Sequence, residues 1–176
     1  MPSQPLQNVS ALLIEDNPHY NMILRTVLAG FGIRKVYESK DPVRALEMIH
    51  QHCIDVVITD LAMPFFDGFE VIHLIRNASD SKNPYVPIIV LSSHAHLKNV
   101  HRARDLGADY FLVKPIIPRD LAEALEWLIN IKERNFVRTD TYFGPDRRSF
   151  RRGPYEGRER RKPAEDRPAE PAFATG

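Results

Sequence analysis

Asp55-Val56-Val57-Ile58-Thr59-Asp60 runs directly into Leu61-Ala62-Met63-Pro64-Phe65-Phe66-Asp67-Gly68. A carboxylate that closes an apolar, β-branched run and meets a Pro- and Gly-bearing turn at once is presented rather than buried. In an open parallel sheet, ligands sit in the crevice beyond the carboxyl ends of the strands. On either side of this stretch, strand and helix patterns alternate. Ala11–Ile14 is a short apolar run of the kind buried on both faces, and it ends in Glu15-Asp16. His19 to Phe31 has helical spacing, with Gly30 and Gly32 as the stop. Val36 centres a weaker strand, and Asp41-Pro42 has the form of an N-cap followed by Pro at the first helical position. That helix runs through Ala45, Leu46 and Ile49, and Ile54 to Thr59 is the third strand.

Beyond Gly68 the alternation continues. Phe69 to Arg76 is a short helix, Ile88–Leu91 a strand ending at Ser92, and Lys98 to Leu106 a polar helix stopped by Gly107. Tyr110–Val113 is the fifth strand and ends at Lys114-Pro115; Pro118 to Arg134 is a last amphipathic helix. Five alternating βα units argue an α/β fold, a doubly wound five-stranded parallel sheet over about residues 9–134. Right-handed crossovers then place helices on both faces. After Thr139 the composition shifts to Pro, Gly, Arg and Glu, with few large apolar residues. Residues 139–176 therefore read as an irregular extension, disordered when free, because so little apolar surface cannot offset the ordering entropy.

The chain has 176 residues and a net charge of +1. The charge is uneven: 15 basic against 16 acidic residues over 1–138, but 8 against 3 over 144–162. A local basic patch points to an anionic partner. Cys53 stands alone, which excludes a disulfide framework and fits a reducing cytoplasm. No apolar run approaches a membrane span, and the amino terminus carries no signal-peptide pattern. A cytoplasmic location without membrane insertion is the expectation.

The strand ends collect Glu15, Asp16, Asp60, Ser92 and Lys114 at one crevice. Clustered carboxylates repel unless a cation sits among them. Hard oxygen ligands with room for water suit Mg²⁺, and a carboxylate beside Mg²⁺ can accept a phosphoryl group. Ser92 could hydrogen-bond a phosphoryl oxygen and Lys114 could pair with it. The pattern Glu15-Asp16, Asp60-x-x-Met63-Pro64-x-x-Asp67-Gly68, Ser92 and Lys114-Pro115 resembles the receiver domain of two-component response regulators. The resemblance implies that Asp60 accepts a phosphoryl group from a histidine kinase. It implies Mg²⁺ held by Asp16, Asp60 and the carbonyl of Ala62, with Glu15 acting mostly through water. Phe111 takes the place of the family's rotating switch aromatic. Glu15 stands where Asp is commoner, and Ser93 where a small Ala is usual.

The tail repeats itself. Tyr142-Phe143-Gly144-Pro145-Asp146-Arg147-Arg148 and Tyr155-Glu156-Gly157-Arg158-Glu159-Arg160-Arg161 both read Tyr-x-Gly-x-acid-Arg-Arg, with Arg151-Arg152 between them. Arginine binds phosphate bidentately, stacks on rings and meets the O6/N7 edge of guanine. A twice-written motif suits a ligand with two guanines, two phosphates and two-fold symmetry. The tail resembles that of CheY-like cyclic-di-GMP effectors, single receivers with an arginine-rich extension. That resemblance carries the ligand role onto Asp146, Arg147, Arg148, Arg151, Arg152, Arg160 and Arg161 and implies docking on the flagellar motor switch, hence motility and surface attachment. Three other readings of the tail stand beside it: a solvated basic linker, nonspecific nucleic-acid contact and lipid contact. Acidic residues inside each Arg cluster weigh against nucleic acid, and the missing apolar face weighs against lipid. With an inert tail the chain would be a plain phosphotransfer or chemotaxis receiver. No DNA contact is expected, and no enzymatic activity on an external substrate beyond the receiver's own phosphoryl chemistry. Phe65 and Phe66 beside Asp60 are candidates for a docking surface.

Overall fold

A computed structural model describes residues 6–64, 67–79, 81–93, 96–130, 135–139 and 141–146. The chain alternates β1 (Ser10–Ile14), α1 (Pro18–Gly30), β2 (Lys35–Ser39), α2 (Pro42–Gln51), β3 (Val56–Asp60), α3 (Gly68–Asn77), β4 (Ile88–Ser92), α4 (Leu97–Leu106), β5 (Tyr110–Val113) and α5 (Pro118–Asn130). The five strands are parallel in the order β2-β1-β3-β4-β5, a doubly wound sheet.

The central strands β1, β3 and β4 are buried at every position, which is why they read as unbroken apolar runs rather than alternating ones. Alternate residues still go to opposite faces. Leu12, Ile14, Val57, Ile88 and Val90 pack with α2, α3 and α4. Ala11, Leu13, Val56, Ile58, Ile89, Leu91 and Leu112 pack with α1 and α5. The caps predicted from sequence form. The Asp41 side chain accepts from the Val43 and Arg44 amides, and Pro42 opens α2. Asn17, which the sequence pattern did not single out, caps α1 by accepting from the His19 and Tyr20 amides. Gly107 closes α4 at φ 103°, a left-handed value that a side chain disfavours.

The expected boundary of the extension moves. Phe136–Thr139 (β6) and Tyr142–Pro145 (β7) form an antiparallel hairpin, so the described part of 139–146 is ordered structure. Its anchor is aromatic. Phe136 and Phe143 meet Tyr85, from the loop before β4, with ring centroids 4.9 and 5.4 Å away. Gly144 packs against Gly107 so closely that a Cβ on Gly144 would lie 2.7 Å from the Gly107 Cα. Composition could not show this, because the partners of Phe136 and Phe143 lie far away along the chain. Under the hairpin sits a buried ion pair. Arg76 donates to Asp109 at 2.9 Å and to the carbonyls of Gly107, Pro84 and Val86 at 3.0, 2.7 and 2.8 Å. Asp109 in turn accepts from the Ile88 amide at 2.8 Å. Arg147, Arg148, Arg151, Arg152, Arg160 and Arg161 lie outside the described residues, as do Phe65 and Phe66.

Candidate functional site

Strand register brings the site together. Ile14 pairs with Thr59, Asp60 with Leu91 and Ser92 with Val113, so Glu15, Asp60, Ser92 and Lys114 reach one edge of the sheet. The Lys114 amide donates to the Ser92 carbonyl at 2.8 Å and the Leu61 amide to the Leu91 carbonyl at 3.1 Å, which carries the register one residue past the strands. Gly68 lets the β3–α3 turn fold back onto Asp60. A Cβ there would collide with the Asp60 carbonyl oxygen and lie 2.8 Å from the Leu61 Cα. Asp67 then caps α3 by accepting from the Phe69 amide at 2.9 Å.

Lys114 is the electrostatic centre. Its Nζ lies 2.6 Å from Glu15 Oε2 and 2.9 Å from Asp60 Oδ2. Burial alone would lower its proton affinity, but the bonds to Glu15 and Asp60 outweigh burial and hold it above the usual lysine value. Glu15 is itself buried, and desolvation raises its carboxyl above the usual range despite the Lys114 bond. The Ala62 amide donates to Asp60 Oδ1 at 3.3 Å. Oxygens of Glu15, Asp16 and Asp60 all lie within 4.8 Å of one another. Three carboxylates face a single ammonium, and the donor set is oxygen only, which fits a hard divalent cation. Ser92 is buried at the β4 end. Phe111, three residues before Lys114, is partly buried against the α2–α4 side of the core.

The sequence-predicted residues Glu15, Asp16, Asp60, Ser92 and Lys114 thus converge. Of the predicted tail ligands, Asp146 alone is described, held by its amide to the Asn135 carbonyl at the base of the hairpin. Sequence reasoning missed Tyr20, whose ring lies under Lys114 with Nζ 4.1 Å from the centroid. The signal that could have found it is its place in the first turn of α1, four residues after Asp16.

A family model described as the response regulator receiver domain matches residues 11–126. The chain belongs to that family. Receiver domains bind Mg²⁺ at an acidic pocket and take phosphate from histidine kinases, and the Glu15, Asp16 and Asp60 cluster is that pocket here. Among its relatives, this receiver is 38% identical over 110 residues to a probable transcriptional regulator, ycf27, of Guillardia theta, covering 62% of this chain and 41% of that protein. It is 26% identical over 120 residues to chemotaxis protein CheY-3 of Vibrio cholerae, covering 68% of this chain and 91% of that one. The solved structure of chemotaxis protein CheY4 of Vibrio cholerae superposes with a TM-score of 0.61 at 27% identity, over 68% of this chain and 98% of that one. The receiver spans less than half the length of the ycf27 relatives. Among the described residues no helix is long and apolar enough to cross a membrane.

Proposed function

We propose that this receiver is a cytoplasmic phosphorylation switch in which Asp60 takes a phosphoryl group from a histidine kinase and the altered surface docks on a partner protein. The observation that carries this is Lys114 bridging Glu15 and Asp60 beside a third carboxylate, all at the strand ends. In the transfer an Asp60 oxygen bonds to phosphorus while the donor's P–N bond breaks, its electron pair leaving on the imidazole nitrogen. Asp16, Asp60 and the Ala62 carbonyl would hold Mg²⁺, with Glu15 acting through water, and the cation would neutralise charge at the phosphoryl oxygens. Lys114 keeps its ammonium on the acceptor and pairs with a phosphoryl oxygen; the Ser92 hydroxyl donates to another. Phe111 follows Ser92 as the switch aromatic. The test uses the full chain with Mg²⁺ and acetyl phosphate, read by intact mass. Wild type gains one phosphoryl group and Asp60→Asn gains none; a wild type that never gains one overturns the reading.

A second input is favoured by the duplicated Tyr-x-Gly-x-acid-Arg-Arg motif. The tail binds cyclic-di-GMP, and the liganded receiver docks on the flagellar motor switch. The hairpin accounts for the Tyr and Gly of the first copy. Tyr142 Oη donates to the Pro145 carbonyl at 2.7 Å and Gly144 packs on Gly107, so the Tyr of the first copy braces the hairpin and the Gly serves its docking. Ligand recognition then falls to Asp146, Arg147, Arg148, Arg151, Arg152, Arg160 and Arg161. Calorimetric titration with cyclic-di-GMP gives heat with the full chain and none with Arg148→Ala, which still takes phosphate at Asp60. No heat with the full chain leaves the tail as a linker and the protein as a plain receiver.

A further inference from the structure

We propose that Tyr20 is a positioning residue for phosphoryl uptake, holding Lys114 in place through its ring face. The proposal rests on Asp60 being the phosphoacceptor. Lys114 reaches the site from the turn after β5 on a long, rotamer-rich stem, and its ammonium has to be held at the acceptor. Glu15 and Asp60 fix it from one side at 2.6 and 2.9 Å. The Tyr20 ring closes the other side, with its centroid 4.1 Å from Nζ. A ring face at that distance attracts an ammonium, the more so when both are partly out of water.

Tyr20 is itself held firmly. Its amide donates to the Asn17 side chain at 3.2 Å, so the ring projects from the capped first turn of α1. It also packs against the core on the α1–α5 side of the sheet. Its hydroxyl oxygen is buried beside the Ile116 backbone. Burial raises the Tyr20 proton affinity against the opposing pull of the Lys114 ammonium, with Glu15 and Asp60 also near enough to act on it.

The role follows from the chemistry of uptake. With acetyl phosphate as donor, an Asp60 oxygen bonds to phosphorus, the donor's P–O bond breaks and its electron pair leaves as acetate. Negative charge gathers on the phosphoryl oxygens, and an ammonium already aimed at them costs no reorganisation. Without the ring, Lys114 samples more orientations and the rate falls. Glu15, Asp16 and Asp60 are untouched, so the response to Mg²⁺ stays the same.

The test compares wild type, Tyr20→Phe, Tyr20→Leu and Tyr20→Met as full chains, measuring uptake from acetyl phosphate across a Mg²⁺ titration. Tyr20→Leu and Tyr20→Met lower the maximal rate by roughly three- to tenfold, the scale of one lost, partly desolvated cation–π contact. Tyr20→Phe stays within about twofold of wild type, because its ring face is nearly as good. The Mg²⁺ concentration for half-maximal rate does not change in any of them. Unchanged rates in Tyr20→Leu and Tyr20→Met overturn the proposal, as does a Tyr20→Phe rate as low as theirs. Tyr20→Met keeps an unbranched side chain of similar reach, so the test survives if Tyr20→Leu does not fold. Absence of uptake in wild type is a different result, since it removes Asp60 as acceptor rather than Tyr20 as its support.

Discussion

Lys114 and the Arg76–Asp109 pair show how differently buried charge is handled at the two ends of the sheet. At the carboxyl ends, Lys114 is shared between two carboxylates and remains close to the surface, so it can exchange partners. At the amino ends, Arg76 and Asp109 are each 1% exposed and saturated with bonds. A buried pair of this kind does not have to add net stability, but removing one partner strands the other's charge. Arg76→Ala leaves Asp109 buried without its cation and three carbonyls without a donor. It is expected to cost about 3–5 kcal/mol, read as a lower urea midpoint at unchanged slope. A loss under about 1 kcal/mol would mean that water or another cation replaces the guanidinium. Neither Arg76 nor Asp109 stands out in the sequence: Arg76 closes a helical pattern and Asp109 precedes a strand. The Glu15-Asp16, Asp60 and Lys114-Pro115 stations, by contrast, are legible because each follows an apolar run directly.

At the scale of elements, boundaries that depend on local chemistry were legible, and the one that depends on distant packing was not. Asp41-Pro42 and Gly107 mark helix ends where the structure has them, since caps and left-handed turns are local matters. The β6–β7 hairpin is the opposite case. Its strands are four residues each, and 136–139 is mostly exposed, so no alternation announces it. It is held by Tyr85 and by the close approach of Gly144 to Gly107. Arg138 adds a guanidinium over the Phe143 ring at 4.4 Å. Gly144→Val puts a branched side chain where a Cβ already lies 2.7 Å from the Gly107 Cα. Overpacking of this sort costs about 1–3 kcal/mol, enough to undock a two-stranded ribbon that has little stability alone. Hydrogen exchange should show the hairpin amides losing protection while those of β1, β3 and β4 keep theirs. Equal protection in both would mean that the hairpin is not anchored at Gly107.

Over the whole molecule, the acidic cluster and the hairpin lie at opposite ends of the strands. The cluster of Glu15, Asp16, Asp60 and Lys114 occupies the carboxyl edge. The hairpin docks near Gly107, Arg76 and Tyr85, at the amino ends of β4 and β5, and it is the last described segment before the arginine-rich stretch. A chain ended after Asp146 therefore keeps the hairpin, whereas one ended after Arg138 cuts through it. The shorter chain is the poor control for tail binding, because lost heat there would mix lost ligand contacts with lost packing. Helix α4 touches both regions: Arg102 lies 3.5 Å from Asp67 and 4.0 Å from the Phe69 ring centroid, and the hairpin packs on Gly107 at the helix's C-cap. The amino-acid sequence by itself determined the alternation of elements, the parallel sheet and the acidic, hydroxyl and lysine stations at the strand ends. Those follow from hydrophobic period, cap chemistry and residue type, all short-range properties. The tertiary structure alone decided the Tyr20 ring under Lys114, the Arg76–Asp109 pair and the docked hairpin. Each joins residues far apart in the chain, and the free energy of such contacts comes from packing and desolvation that exist only once the sheet has brought them together.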